Sequence, residues 1–239
     1  MAYEMNFQPV LSRAPELIEG TIATIELSAK SIVVGLAVGL VVALGRHDGP
    51  RAVRTLATVY IEMFRNTPLL VQLFLLFFGL PFLGLRLSAD EAAVIAISLN
   101  LGAYSAEIFR AGLAAISKTQ VEAALALGLS KLQAMRHVVL IPALKVIYPA
   151  LTGQLTLTVL GTSIASAISA SELTLAGARI ESSTFRSLET FLVLAAIYIA
   201  ITIAFRILYA LVGRLLFRRK VPPPSMRAAS AFDKKEARA

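Results

Sequence analysis

The sequence contains no cysteine and no tryptophan. With no cysteine there is neither a disulfide framework nor a thiolate metal site. The two histidines, His47 and His137, lie far apart among basic residues in polar connectors, so they make no metal site either. No G-x-x-x-x-G-K-[ST] loop occurs, which excludes a built-in nucleotide site of that kind. No nucleophile triad and no paired-carboxylate hydrolase site can be found. Charged residues make up only 16% of the 239. Residues 1–19 carry Glu4, Glu16 and Glu19 against Arg13 alone, so no basic region precedes the first apolar stretch and a cleaved signal peptide is not expected.

What the chain has in abundance is apolar side chains. They form 57% of it, and the mean hydropathy is +0.74. Soluble domains are usually about 45–50% apolar, so the expected home is a lipid bilayer. Five spans are expected: Thr21 to Gly45, Leu56 to Phe82, Ala92 to Ala115, Ala143 to about Ile164, and Phe191 to Leu216. Ser166 to Thr190 is too polar to span and reads as an outer re-entrant or surface helix. Val221 to Ala239 reads as a disordered basic tail. The expected organisation is therefore an outer segment at 1–19, a membrane domain at 20–216 and a tail at 217–239.

The net charge is +8, and its placement says more than its size. Most of the 23 Lys and Arg residues fall in three regions: Arg46, Arg51 and Arg54; Arg110, Lys118, Lys131 and Arg136; and the tail beyond Gly213. A nucleic-acid binder would not confine its charge to alternate connectors between apolar spans. The positive-inside rule produces that pattern, and it places the N-terminus outside and the C-terminus in the cytoplasm.

Between the third and fourth spans lies TQVEAALALGLSKLQAMRHVVLIP, Thr119 to Pro142. Thr119-x-x-Glu122 reads as a capping box opening a short helix from Glu122 to Leu127. Gly128 stands where that helix stops, because glycine enters the left-handed region cheaply. Ser130-x-x-Gln133 repeats the cap and opens a second short helix. Pro142 suits the first turn of the apolar helix that follows. Two readings fit this bent pair: a structural connector, or a docking element whose small face at Ala123, Ala124 and Ala126 allows close approach.

The charged and polar residues inside the spans also admit two readings each. Glu26 and Lys30 can pair on one helix face. Glu107 and Arg110, three apart, either neutralise each other or form an ion site. Arg65-Asn66-Thr67-Pro68 interrupts the second span, either as a packing break or as a cationic meeting point for a carboxylate. Thr152, Thr156, Thr158 and Thr162 either line a polar route or bind neighbouring helices. Arg206 should face protein or water. A chain with no power chemistry of its own must couple to an ion gradient or borrow a motor.

Three stretches carry a family resemblance. Glu122-Ala123-Ala124, with Gly128 and Ile141-Pro142 at the matching distances, resembles the cytoplasmic loop of ABC importer permeases. YIEMFRNTPLLVQLFLLFFGLP, Tyr60 to Pro81, and LNLGAYSAEIFRAGLAAISKTQ, Leu99 to Gln120, narrow the likeness to the polar amino-acid uptake group; GTSIASAISASEL, Gly161 to Leu173, is a weaker echo. The chain departs from the group's pattern at Thr119, at Ala143 and at Leu160-Gly161. The resemblance covers roughly residues 18 to 216.

That resemblance implies an all-α membrane protein with five transmembrane helices of the type I ABC importer permease type and a cytoplasmic coupling helix within 116–137. It implies a place in the bacterial inner membrane and a second permease chain, identical or related. It further implies two ABC ATPases docked on Glu122, Ala123, Ala124, Gly128 and Leu129, and a periplasmic amino-acid-binding protein. ATP and magnesium would belong to the ATPases, with no cofactor on this chain and no nucleic-acid partner. Arg65, Thr67, Tyr104, Glu107, Thr162, Ser163 and Glu172 are the candidate pathway residues. The competing readings are an ion-gradient-coupled carrier working alone and a membrane scaffold without a pathway.

Overall fold

The computed structural model describes residues 4–217, and all regular structure among them is helical. After a single turn at Gln8–Leu11, the chain forms α1 (Ala14–Asp48), α2 (Arg51–Arg65), α3 (Leu69–Leu83) and α4 (Ala89–Ala114). There follow α5 (Lys118–Ala126), α6 (Lys131–Ile168), α7 (Leu173–Thr184) and α8 (Ser187–Leu216). The expected basic tail lies outside the described residues.

Helices α1, α4, α6 and α8 are each long and apolar enough to cross a membrane, and α2 with α3 makes a fifth span if the bent pair counts as one. The number matches the expectation, while the boundaries differ. Helix α1 begins at Ala14, ahead of Thr21, and the N-terminal segment runs into it. The fourth span does not start afresh at Pro142. A π turn at Met135–Leu140, in which the Ile141 amide donates to the Arg136 carbonyl, joins the capped start at Lys131 to the apolar helix. That wider hydrogen-bond register absorbs the amide Pro142 lacks, so the second short helix and the fourth span are one element. The polar stretch after Ile168 holds only the 12 residues of α7, about 18 Å of helix, too short to span.

The tightest packing is between α1 and α4, where Ser28, Ser31, Gly35 and Gly39 face Ser98, Leu101, Gly102 and Ser105, all of them buried. Because lipid is as apolar as leucine, helices in a membrane associate through close packing, which small residues permit. A Cβ on Gly35 would stand 2.8 Å from Leu101, and one on Gly39 would collide with the Ser105 hydroxyl. Ser105 donates to the Leu101 carbonyl at 2.7 Å, so its polar atom is satisfied within α4.

Two further clusters fill the bundle. Leu27, Leu73, Ala93, Ile97, Ala165 and Ile168 join α1, α3, α4 and the end of α6. Leu17, Val159, Leu173, Ile180, Leu194 and Ile201 pack α7 among α1, α6 and α8. Helix α7 is also tied by polar contacts. The Glu172 carboxylate caps it, accepting from the amides of Thr174 at 2.7 Å and Leu175 at 2.6 Å and from the Tyr198 hydroxyl at 2.7 Å. The Leu173 amide donates to Thr24 of α1 at 2.9 Å.

Candidate functional site

The interruption after Arg65 is far more than a kink. Residues 66–68 leave the helix, and α3 departs at 109° to α2. Pro68 lies extended at φ −62° and ψ 140°, which ends one helix and opens the next. A break of this kind strips carbonyls of their helical partners, and a membrane protein must replace them from within. Gln72, 6% exposed, supplies the substitute. Its amide nitrogen donates to the carbonyls of Phe64 at 2.8 Å and Thr67 at 3.0 Å and to the Thr67 hydroxyl at 2.8 Å. Its oxygen accepts from the Asn100 amide of α4 at 3.0 Å. One side chain thus braces the break and ties it to α4.

Arg65, exposed at the end of α2, lies over the Tyr104 ring at 5.5 Å from its centroid, a cation–π contact. Glu62, three residues before Arg65 and so within pairing reach on the helix, instead accepts from Asn66 at 2.9 Å. Beside Tyr104, a cavity of about 280 Å³ lies between α3, α4 and α6, lined by Leu69, Asn100, Tyr104, Gln154, Thr158 and Gly161 among others. Arg65 and Tyr104 are therefore brought together, while Thr67, two residues on, is engaged by Gln72 and the Met63 carbonyl.

The other candidates are not in that group. Glu107 holds Arg46 of α1 as well as Arg110, which donates to it at 2.8 Å. Spacing predicted the Arg110 pair; Arg46, 61 residues away, is the addition. Thr162 is fully buried and donates to the Val159 carbonyl, and Ser163 donates to that of Leu160. Glu172 is spent on capping α7, and burial pushes its carboxyl above the usual carboxylate range, against the opposing pull of those hydrogen bonds. The hydroxyls of Thr152, Thr156 and Thr158 all donate to carbonyls of their own helix, so they do not bind neighbouring helices through that proton. Arg206 lines a second, larger cavity of about 610 Å³ between α6 and α8, with Thr152, Gly153, Thr156 and Tyr209.

On the connector, α5 projects with Glu122, Ala123, Leu127 and Gly128 exposed; Leu127 is 81% exposed. Its cap is Ser117, whose hydroxyl accepts from the Gln120 amide at 3.3 Å, not Thr119, which lies inside the first turn. Capping two residues earlier lets the helix run from Lys118, and Glu122 then has no amide to cap. The far end is as expected. Gly128 has φ +86°, the Leu129 amide reaches the Ala124 carbonyl at 3.2 Å, and the Gly128 amide reaches that of Leu125 at 3.0 Å. This is the paired-bond glycine stop. The Ser130–Gln133 capping box is present in both directions.

Residues 35–218 match the family model of the binding-protein-dependent transport system inner membrane component. The chain belongs to that family. Among curated members of such systems, it is 36% identical over 220 residues to the glutamine transport system permease protein GlnP of Escherichia coli (strain K12), covering 91% of this chain and 99% of the relative. It is 36% identical over 208 residues to the nopaline transport system permease protein NocM of Agrobacterium fabrum (strain C58), covering 83% of this chain and 86% of the relative. A solved structure of an amino acid ABC transporter with histidines superposes with a TM-score of 0.81 at 36% identity, covering 89% of this chain and 99% of that one. As an inner-membrane component of this family, the chain is a transport subunit, and the helix break, the cavity and α5 take their meaning from that.

Gln72, Asn100 and Gln154 are the site residues that sequence reasoning did not single out. Gln72 lies inside the quoted Tyr60 to Pro81 stretch. A buried amide four residues past a proline break is the signal that could have found it.

Proposed function

We propose that this chain is the membrane-spanning permease of an ATP-driven, binding-protein-dependent importer of polar amino acids. The observation that carries the reading is α5, a short helix with a glycine stop and a bare Leu127, standing clear of an apolar bundle that has no nucleotide loop of its own. A projecting apolar helix suits a groove on a partner, and an ATPase in the cytoplasm is the partner that supplies the missing power. Glu122, Ala123, Ala124, Gly128 and Leu129 form the coupling surface, and ATP and magnesium sit on the ATPase chains, two per transporter. A second permease chain completes the pathway, and a periplasmic binding protein delivers the substrate.

The basic connector at Arg46, Arg51 and Arg54 and the basic residues flanking α5 support a periplasmic N-terminus and a cytoplasmic C-terminus. Arg65, Thr67 and Tyr104 line the route, with Arg65 meeting the carboxylate that every amino acid carries. Weak, passing contact serves transport better than tight binding. The test is reconstitution of the permease with its ATPase in proteoliposomes. Amino-acid uptake that needs both ATP and the binding protein is expected. Uptake that runs on an ion gradient with no ATPase present would overturn the reading in favour of a secondary carrier.

A further inference from the structure

Taken as an amino-acid permease, the chain meets its cargo beside the open cavity between α3, α4 and α6. That cavity, about 280 Å³, is close to the ≈300 Å³ at which small-molecule pockets begin, so it has room for an amino-acid side chain. None of the residues lining it carries a charge; the walls are Leu69, Ile97, Leu157 and Ile164 with Asn100, Tyr104, Gln154 and Thr158. Arg65 is not among them and stands on Tyr104.

The two carboxamides are the distinctive feature. Asn100 spends one N–H on Gln72 at 3.0 Å, and its oxygen and second N–H have no hydrogen bond among the described residues. The Gln154 side chain has none at all; only its backbone carbonyl is engaged, by Thr158. Both amides therefore present a free donor and a free acceptor toward a space otherwise lined largely by apolar groups. The walls themselves offer a charged side chain no counter-ion, and Arg65 beside Tyr104 is engaged by the carboxylate common to every amino acid, so desolvation opposes a second charge there. An aliphatic one leaves both amides unpaired, which also costs. A neutral side chain with its own donor and acceptor satisfies both walls.

We propose that Asn100 and Gln154 determine specificity, selecting amino acids whose side chain is uncharged and carries both a hydrogen-bond donor and an acceptor, a carboxamide foremost. Gln72 acts on this site as a positioning residue, by holding the Asn100 amide in place. A site built to hydrogen-bond its substrate discriminates strongly against analogues lacking those groups.

The inference rests on the transport reading, and two measurements on one preparation separate them. The permease–ATPase complex in lipid nanodiscs is titrated with radiolabelled L-glutamine, L-glutamate, L-lysine and L-leucine, without binding protein. The same complex in proteoliposomes is assayed for uptake with its binding protein. Wild type should bind glutamine at least about tenfold more tightly than the other three, the loss expected for an unpaired hydrogen-bonding group. Gln154→Glu should weaken glutamine by about tenfold or more and move the preference to lysine. Gln154→Leu should move it toward leucine, and Asn100→Asp should act in the same direction as Gln154→Glu. Since the Gln154 side chain holds nothing in the fold, intact complex should be recovered from both of its variants. An unchanged ranking in those variants would overturn the inference, as would a wild-type complex that binds none of the four yet takes up amino acids normally. Absence of any ATP-dependent uptake by the wild type would instead overturn the transport reading.

Discussion

Replacing Gln72 tests whether one side chain braces the broken second span. Gln72→Leu keeps the bulk and removes the amide. The carbonyls of Phe64 and Thr67 lose their donor, and Asn100 loses its acceptor. The Thr67 hydroxyl is spared, because it still donates to the Met63 carbonyl at 2.8 Å. Leaving a buried polar group unpaired costs about 1–3 kcal/mol. Asn100 borders a cavity and recovers its partner from water, so the two carbonyls set the total at about 2–6 kcal/mol. Gln72→Glu is nearly isosteric and should be worse. It offers only oxygen lone pairs to two carbonyls and a hydroxyl, and its charge has no counter-ion among the contacts of Gln72. The assay is thermal unfolding of the purified permease–ATPase complex in detergent, with loss of intact permease to aggregation as the readout. The Leu variant should lose on the order of 5 °C or more, and the Glu variant should fall below it. A Glu variant as stable as wild type would refute the bracing role, since it keeps the shape of Gln72 while removing the donor and adding an unpaired charge.

Four further outcomes are expected. With no native cysteine to interfere, Ser12→Cys should react with a membrane-impermeant thiol reagent in intact cells and His47→Cys should not; the reverse pattern inverts the topology. Gly128→Ala forces a Cβ into the left-handed region at about 1–2 kcal/mol, and Leu127→Glu puts a charge on the bare tip of the coupling surface. Both variants should insert normally yet recover less ATPase on affinity purification, and undiminished recovery in both would remove α5 from coupling. Arg65→Ala should slow uptake while leaving the amount of complex in the membrane and the binding protein's affinity unchanged, and normal uptake would take Arg65 out of the route. Gly39→Leu should abolish accumulation of the protein in the membrane by parting α1 from α4, and normal abundance would show that the contact yields.

The local features were legible because each is written in a few adjacent residues. Five apolar stretches, the Asn66-Thr67-Pro68 break, the Gly128 stop, the Ser130–Gln133 box and the Glu26–Lys30 pair, observed at 3.1 Å, all fall in this class. The sequence places the cap of α5 two residues late, at Thr119, and the helix four residues late, at Glu122, because Ser117 and Thr119 are both good caps and neither has a local feature that settles the competition. Glu172 was read as a pathway residue. Glutamate is not among the preferred N-caps, so nothing nearby announced that it would close α7. The continuous α6 was missed because Pro142 normally marks a start, and only the π turn before it lets the helix pass. The Gln72–Asn100 bond and the Arg46–Glu107 pair join residues on different helices, and period and spacing are blind to contacts of that range.

The seam of Ser28, Ser31, Gly35 and Gly39 against Ser98, Gly102 and Ser105 has a consequence for the entropy of assembly. Glycine and serine surrender little rotamer freedom when a surface closes over them, unlike the long side chains that fill a soluble core. The two longest-packed helices are thus joined at small conformational cost, by many weak dispersion contacts that vanish steeply with distance. Apart from Leu101 against Gly35 and Val38 against Gly102, such a joint has little side-chain cushion to take up a shift. A tilt imposed on α1 is passed to α4 undiminished, and the pair behaves as a single beam to which the Asn100 wall of the cavity is fixed.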